Sequence, residues 1–321
     1  MPDTIQLHAV VPVALAGDRF DQALAKLFPN YSRARLRNWV EGGQVLLDGE
    51  VVKPRHRVLG GEQVDLRADI EQHGDDAPEA IPLDIAFEDD AVIVVNKPAG
   101  MVVHPGAGNR EGTLVNALLH HAPELAALPR AGLVHRLDKL TSGLIVAARS
   151  DAAHQRLAAA LQARHVSRHY QALVSGEMTG GGRVDAPIGR HPTRRTLMSV
   201  LPAGRGRDAV THYRLAERLV DFTLLDVRLE TGRTHQIRVH MAHVGHPLVG
   251  DPEYGGRLRL PRGADDDTTR VLRGFRRQAL HACHLAFVHP ITGEPVRVDS
   301  PLPEDMSALL QALRTVARER A

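Results

Sequence analysis

The chain has 321 residues, 43% hydrophobic and 24% charged, which suffices for two domains and a substantial buried core. Aromatic residues make up only 3%, which argues against wide platforms for stacking single-stranded nucleic acid, and a single cysteine, Cys283, excludes an intrachain disulfide framework. The formal net charge of +2 is uneven: residues 67–90 hold nine acids and one Arg, whereas residues 91–321 hold 31 Lys or Arg against 21 Asp or Glu, a surplus that favours a polyanionic partner.

The first residues, Met1-Pro2-Asp3-Thr4, carry neither the basic segment nor the apolar run of a signal peptide, and aliphatic runs such as Val92–Val95 are far too short to span a bilayer. A soluble, cytoplasmic protein is expected. Residues 1–66 read as a small separate unit. Asp18 is the expected cap of a helix over 19–28, with Phe20, Ala23, Leu24 and Leu27 on one face. Pro29-Asn30 breaks it, and Ser32 is expected to cap a second helix running to Glu41, where Gly42-Gly43 stops it. Val45-Leu46-Leu47, Asp48-Gly49 and Glu50-Val51-Val52 then spell a hairpin, because Asp-Gly accepts the positive φ of a tight turn. Gln63–Leu66 closes the small sheet. Arg33, Arg35 and Arg37 on the second helix, with Lys53, Arg55 and Arg57 after the hairpin, form two basic clusters suited to phosphates.

Residues 67–83 turn acidic and aperiodic, with Asp69, Glu71, Asp75, Asp76, Glu79, Pro78 and Pro82, which reads as a linker. The large domain opens with strands at 85–87 and 91–96, turns at Lys97-Pro98-Ala99-Gly100, and resumes as a strand at Met101-Val102-Val103. Gly106 and Gly108 mark a loop, and Thr113 caps a helix to His121. Ser150 or Asp151 caps another over 152–164, followed by a strand over 169–174. Two alternating strands, 209–217 and 220–230, read as an antiparallel pair. Thr234 is the expected cap of a helix over 235–244. Strands at 279–288 and 296–299 and a helix over 303–318 complete the chain. Without regular β-α-β alternation, the prediction is α+β on a mixed, largely antiparallel sheet.

Between two apolar segments lies Leu133-Val134-His135-Arg136-Leu137-Asp138-Lys139-Leu140-Thr141-Ser142-Gly143. Alternation puts Arg136 and Asp138 on one side and Leu137 on the other. Asp138 is either a turn aspartate bonding its own backbone or a carboxylate placed for chemistry.

The small N-terminal unit resembles the alpha-L RNA-binding module, first named from a small-subunit ribosomal protein, through Ser-Arg-x-x-Leu and Val-x-Leu-Asp-Gly. His-Arg-Leu-Asp at 135–138, Tyr170 in Arg-His-Tyr-Gln-Ala-Leu-Val, and Gly-Arg-Thr-His-Gln-Ile-Arg-Val-His at 232–240 resemble the RluA-type pseudouridine synthases. Val-Val-Asn-Lys-Pro around Lys97, His-Pro-Leu-Val-Gly-Asp at 246–251 and Gln-Ala-Leu-His-Ala at 278–282 fit the same family. Leu140 sits where that family often has an acid. The expected organisation is an RNA-binding head over 15–75, a linker over 76–83 and a pseudouridine synthase domain over 84–321.

The resemblance implies an enzyme that isomerises uridine to pseudouridine in 23S ribosomal RNA or its large-subunit precursor, with the clustered uridines of the helix 69 hairpin as targets. The reaction moves no electrons and loses no group, so neither metal nor redox cofactor is expected, and a monomer is expected. By resemblance, Asp138 acts at the ribose, attacking the anomeric carbon or taking the neighbouring sugar proton. Arg238, or alternatively Arg233, pairs with it and keeps it ionised. Tyr170 lies on the uracil as a candidate base for the proton on carbon 5, and Leu280 lines the pocket. The target nucleotide must leave its stack, and His135 and Arg136 are expected to fill its place or hold nearby phosphates. Two rivals stand beside this reading. His235, His240, His243 and His246, or His281, Cys283 and His284, suggest a metal hydrolase, although 235 and 240 miss the i, i+4 spacing of paired helical ligands. A non-catalytic RNA-binding assembly factor would bind RNA without converting it.

Overall fold

The computed structural model describes residues 3–29, 31, 33–70, 77–106 and 109–320, without the side chains of residues 3, 4, 34, 35, 69 and 70. The expected breaker Asn30, the cap Ser32, Gly108, the linker acids Glu71, Asp75 and Asp76, and the side chains of Arg35 and Asp69 therefore lie outside the described residues. The chain forms two compact units, Met1–Ala77 and Pro78–Ala321.

In the first unit, β1 (Asp3–Val10), α1 (Phe20–Leu27), α2 (Arg33–Glu41), β2 (Val45–Leu47), β3 (Glu50–Val51) and β4 (Gln63–Ile70) build a four-stranded sheet in the order β1-β4-β2-β3. Phe20, Ala23 and Leu24 of α1 pack with Leu36, Trp39 and Val40 of α2 over the sheet. Asp48, at φ 50°, turns the β2–β3 hairpin as its sequence predicts. Asp18 is not the cap of α1. Its carboxylate accepts from Lys26 Nζ at 2.7 Å, and the helix starts from Arg19 without a side-chain cap. β1 was not expected, and it pairs with β4 along its whole length.

The second unit runs β5 (Ile85–Glu88), β6 (Val92–Lys97), α3 (Leu114–His121), β7 (Ser142–Ala148), α4 (Asp151–Gln162), β8 (Ser167–Ser175), β9 (Gly182–Asp185), β10 (Ile188–Arg190), β11 (Met198–Val200), β12 (Val210–Leu219), β13 (Phe222–Leu229), α5 (Gln236–His243), α6 (Asp266–Gly274), β14 (Leu280–Val288), β15 (Pro295–Asp299) and α7 (Glu304–Arg318). Nine strands form one sheet, β5-β6-β7-β14-β8-β13-β12-β9 with β15 on β14, while β10 and β11 pair separately. Among the described strands only β7 and β14 run parallel, so the sheet is mixed and largely antiparallel, as predicted. Alternation splits its core: Ile93, Val95, Ile145 and Ala147 face one side, and Val92, Val94, Leu144 and Val146 face the other with Leu157 of α4.

Thr113 caps α3 in a reciprocal box with Asn116, and Ser150, not Asp151, caps α4 through the Ala153 N–H at 3.3 Å. Two further expectations fail. Residues 101–103 form no strand, because the Val102 and Val103 carbonyls accept from the first N–H groups of α3 and the Met101 carbonyl accepts from Lys97. Thr234 does not cap α5. His235, left-handed at φ 57°, holds that position, and Gln236 Oε1 instead accepts from Arg233 N and Thr231 Oγ1 at 3.0 and 2.8 Å.

The parallel seam is short, with His281 opposite Ser142 and Ala282 opposite Gly143. Gly143 sits at φ 113°, and a Cβ there would lie 2.3 Å from the Ala282 carbonyl oxygen. Gly143→Ala is expected to force β7 and β14 apart and to destabilise the protein by at least about 3 kcal/mol, read as a lower urea midpoint. An unchanged midpoint would show that the seam tolerates separation.

Candidate active site

The loop between Leu133 and Ser142 leads into the parallel seam. Leu137 is buried in the core, Arg136 is exposed, and the Asp138 side chain is 16% exposed between them. The turn closes through the Asp138 backbone, whose carbonyl accepts from Thr141 N at 3.0 Å, so the carboxylate is not consumed by its own turn. It accepts instead from Arg238 Nη1 at 3.2 Å. Arg233 is engaged elsewhere, donating to the Asp208 carbonyl at 2.9 Å, which leaves Arg238 as the partner.

Arg238, on the buried side of α5 and 4% exposed, is held on its other edges by acids. Nε and Nη2 donate to the two Asp251 oxygens at 2.7 and 2.9 Å, and Nη2 also donates to Glu253 at 2.6 Å. Asp251 Oδ1 is fixed in turn by the Glu253 and Tyr254 backbone N–H groups. Burial opposes the guanidinium charge, but Asp251, Asp138 and Glu253 outweigh it and hold its pKa above the ordinary value. His235 lies 3.9 Å from Asp138, 3.5 Å from Glu253 and 2.9 Å from the Tyr254 hydroxyl. Burial pushes its pKa down against the pull of Asp138, favouring the neutral imidazole. The Tyr254 hydroxyl also accepts from Met198 N, and its ring lies under Arg238 at 4.9 Å.

Lys97 ends β6 beneath the loop with no exposed surface. Its ammonium donates to the carbonyls of Pro98, Met101 and Lys139 at 2.7, 3.0 and 3.2 Å, tying the turn after β6 to the Asp138 loop. Burial pushes its pKa down to about 7, with Asp138 opposing and Arg277 reinforcing the shift. Tyr170 sits mid-β8, 5% exposed, in one apolar cluster with Leu137, Ile237 and Leu280. Burial raises its hydroxyl pKa, Arg168 lowers it and Asp138 raises it. Leu280 opens β14 opposite Ala172 at 4% exposure.

His135 turns inward. Its Nε2 accepts from Val146 N at 3.1 Å, and burial with nearby Arg168 pushes its pKa down to about 3, so it is a neutral ring fastening the loop to β7. Of the expected pair, Arg136 is exposed and His135 is half-buried. The other histidines disperse. His240 is sealed between Thr211 Oγ1 and the Ala186 carbonyl, His246 meets the Ser175 carbonyl, His281 meets Ser142, and His284 meets Asp299. Burial pushes the Cys283 thiol up to about 11. In the first unit Lys53 and Arg55 are exposed, Arg37 pairs with Glu41, Arg57 donates to the Gly17 carbonyl, and Arg33 joins Arg19 on the buried Asp21. Burial raises the Asp21 pKa, but the two arginines outweigh it and hold the carboxyl below its usual range.

Asp251, Glu253, Tyr254 and the clamp by Lys97 have no role assigned from sequence, and His235 appears there only as a candidate metal ligand. Lys97 and Asp251 fell within stretches that resembled the family, but spacing gives no sign that Asp251 meets Arg238.

Residues 91–243 match the model of the RNA pseudouridylate synthase family, and residues 18–64 match that of the S4 domain. Curated relatives include the ribosomal large subunit pseudouridine synthase D of Xanthomonas campestris pv. campestris, 56% identical over 97% of this chain and 94% of that protein. The protein of the same name from Escherichia coli K12 is 53% identical over 98% and 96%. Among solved structures, human RNA pseudouridylate synthase domain containing 4 aligns with a TM-score of 0.56 at 27% identity, covering 72% of this chain and 92% of that one.

Proposed function

The chain belongs to the RNA pseudouridine synthase family, and on that premise we propose that it isomerises uridines of 23S ribosomal RNA, those clustered in the helix 69 hairpin, acting as a cytoplasmic monomer. Its nucleophile in this reading is Asp138. The observation that carries the assignment is the buried Arg238 guanidinium donating to the Asp138 carboxylate at 3.2 Å. An RNA strand lying over the site would strip water from that carboxylate, and the paired cation offsets the cost of leaving its charge desolvated.

The isomerisation breaks the bond between ribose C1′ and uracil N1, turns the base, and joins C1′ to C5. The C5 proton leaves and N1 gains one, so atoms balance without any external reagent. Asp138 attacks C1′ of a nucleotide flipped from its stack as N1 leaves, and C5 then displaces the carboxylate from C1′, freeing Asp138. Tyr170, with Leu280 and Leu137 in the same cluster, supplies the wall against the uracil, and its hydroxyl relays the C5 proton, releasing its own proton as it accepts that one. Arg136 enters the space the base vacates. His135 is reassigned from substrate contact to positioning, because its ring holds the loop to β7. The head residues Arg33, Arg35, Arg37, Lys53, Arg55 and Arg57 grip RNA phosphates, with Lys53 and Arg55 the most available.

The test is pseudouridine mapping of 23S rRNA from cells lacking the gene, complemented with wild type or Asp138→Ala. Wild type is expected to restore pseudouridine in the helix 69 loop and the variant to restore none. Equal restoration by the variant would remove Asp138 from the chemistry, and restoration at other sites alone would remove the helix 69 assignment.

A further inference from the structure

Arg168 is a buried cation that the chemistry above does not use. It lies on β8 two residues before Tyr170, hence on the same face of the strand, and is 7% exposed. Among the described residues it meets no carboxylate, and its Nε is sealed from solvent without a hydrogen-bond partner. Arginine cannot shed its proton to relieve such burial, and an unpaired buried charge costs several kcal/mol. Other buried arginines of this domain are paired: Arg238 with three acids and Arg277 with Asp305 at 2.6 Å. The outer edge of Arg168 lies against Gly232, an exposed residue in the loop that leads to α5 and Arg238, where a Cβ would come within 2.8 Å of Nη1. Glycine leaves the guanidinium room there. His135, whose Nδ1 is likewise buried without a partner, feels the Arg168 charge, so two hydrogen-bond donors lacking acceptors share this corner.

We propose that Arg168 is an RNA-binding residue, taking a phosphodiester oxygen of the strand that carries the target uridine through its Nη edge beside Gly232. The inference rests on the functional reading above. A phosphate there supplies the anion that the fold omits, and the guanidinium fork matches its geometry. Placement two residues from Tyr170 ties backbone capture to the strand that receives the base.

The test measures binding of a synthetic RNA hairpin with uridines in its loop, across a salt series, together with pseudouridine formation. Arg168→Met is expected to raise Kd roughly tenfold and to flatten the slope of log Kd against log salt by about 0.7 to 0.9, the release of one counterion fewer. The expected kinetic signature is a raised KM with kcat largely kept. Arg168→Lys, which keeps the charge, should retain the slope. Should Arg168→Met fail to fold, Gly232→Ala, which displaces the guanidinium, is expected to weaken binding in the same direction. Unchanged Kd and slope in folded Arg168→Met would overturn the inference and leave Arg168 a purely structural cation. Failure of the wild type to bind the hairpin or convert it would instead overturn the functional reading.

Discussion

Arg238→Met is expected to lose both activity and stability. Asp251 has no exposed side-chain surface, and without the guanidinium it retains only backbone donors from Glu253 and Tyr254. Breaking a buried ion pair from one side destabilises by about 3 to 5 kcal/mol, because the remaining charge stays desolvated. Single-turnover pseudouridine formation should fall by roughly a thousandfold or more, since Asp138 loses the donor that orients it. The double variant Arg238→Met, Asp251→Asn separates the two effects. Urea unfolding should recover part of the lost stability while the rate stays low. A double variant no more stable than the single one would mean that Asp251 is not the source of the instability.

Lys97→Met is the second large effect, and it works through the backbone. The ammonium satisfies three carbonyls, two in the turn after β6 and one in the Asp138 loop. A thioether of similar length offers them nothing, and a fall of about 3 kcal/mol is expected, with kcat reduced roughly ten- to a hundredfold as the loop loosens. A pH signature accompanies it. The folded pKa of about 7 lies below the unfolded value of about 10.4, so between these the unfolded chain binds the extra proton. Wild-type stability should therefore rise with pH through that window from this group, and the rise should flatten in Lys97→Met. Urea midpoints at neutral and mildly alkaline pH decide it. Parallel curves would mean that Lys97 stays fully charged throughout, held by its three acceptors.

The sequence was most informative where local chemistry dictates structure. Asp48-Gly49 spells a hairpin whatever surrounds it, and Thr113 with Asn116 forms its own capping box. It misled where a tertiary partner outbid the local one, as when Lys26 takes the Asp18 carboxylate or His235 enters α5 left-handed. β10, β11 and α6 escaped notice for a different reason. The first two are three-residue strands, and α6 reads Asp-Asp-Thr-Thr-Arg with little apolar periodicity. At the site, motifs drew the eye to Asp138, Tyr170 and Arg238, which the fold brings onto neighbouring elements. The three-acid surround of Arg238 was invisible, because Asp251 and Glu253 reach it only through tertiary folding after α5.

That surround has a consequence for an enzyme of this kind. Its substrate is a dense array of phosphates, each a competitor for any arginine it can touch. A solvent-facing guanidinium would be drawn from its carboxylate partner toward that array. Arg238 is immune, because its donors are claimed by Asp251, Glu253 and Asp138 and almost none of its surface is open. The acids that look redundant around a single cation act as a fence, keeping its guanidinium from the phosphates of an RNA substrate.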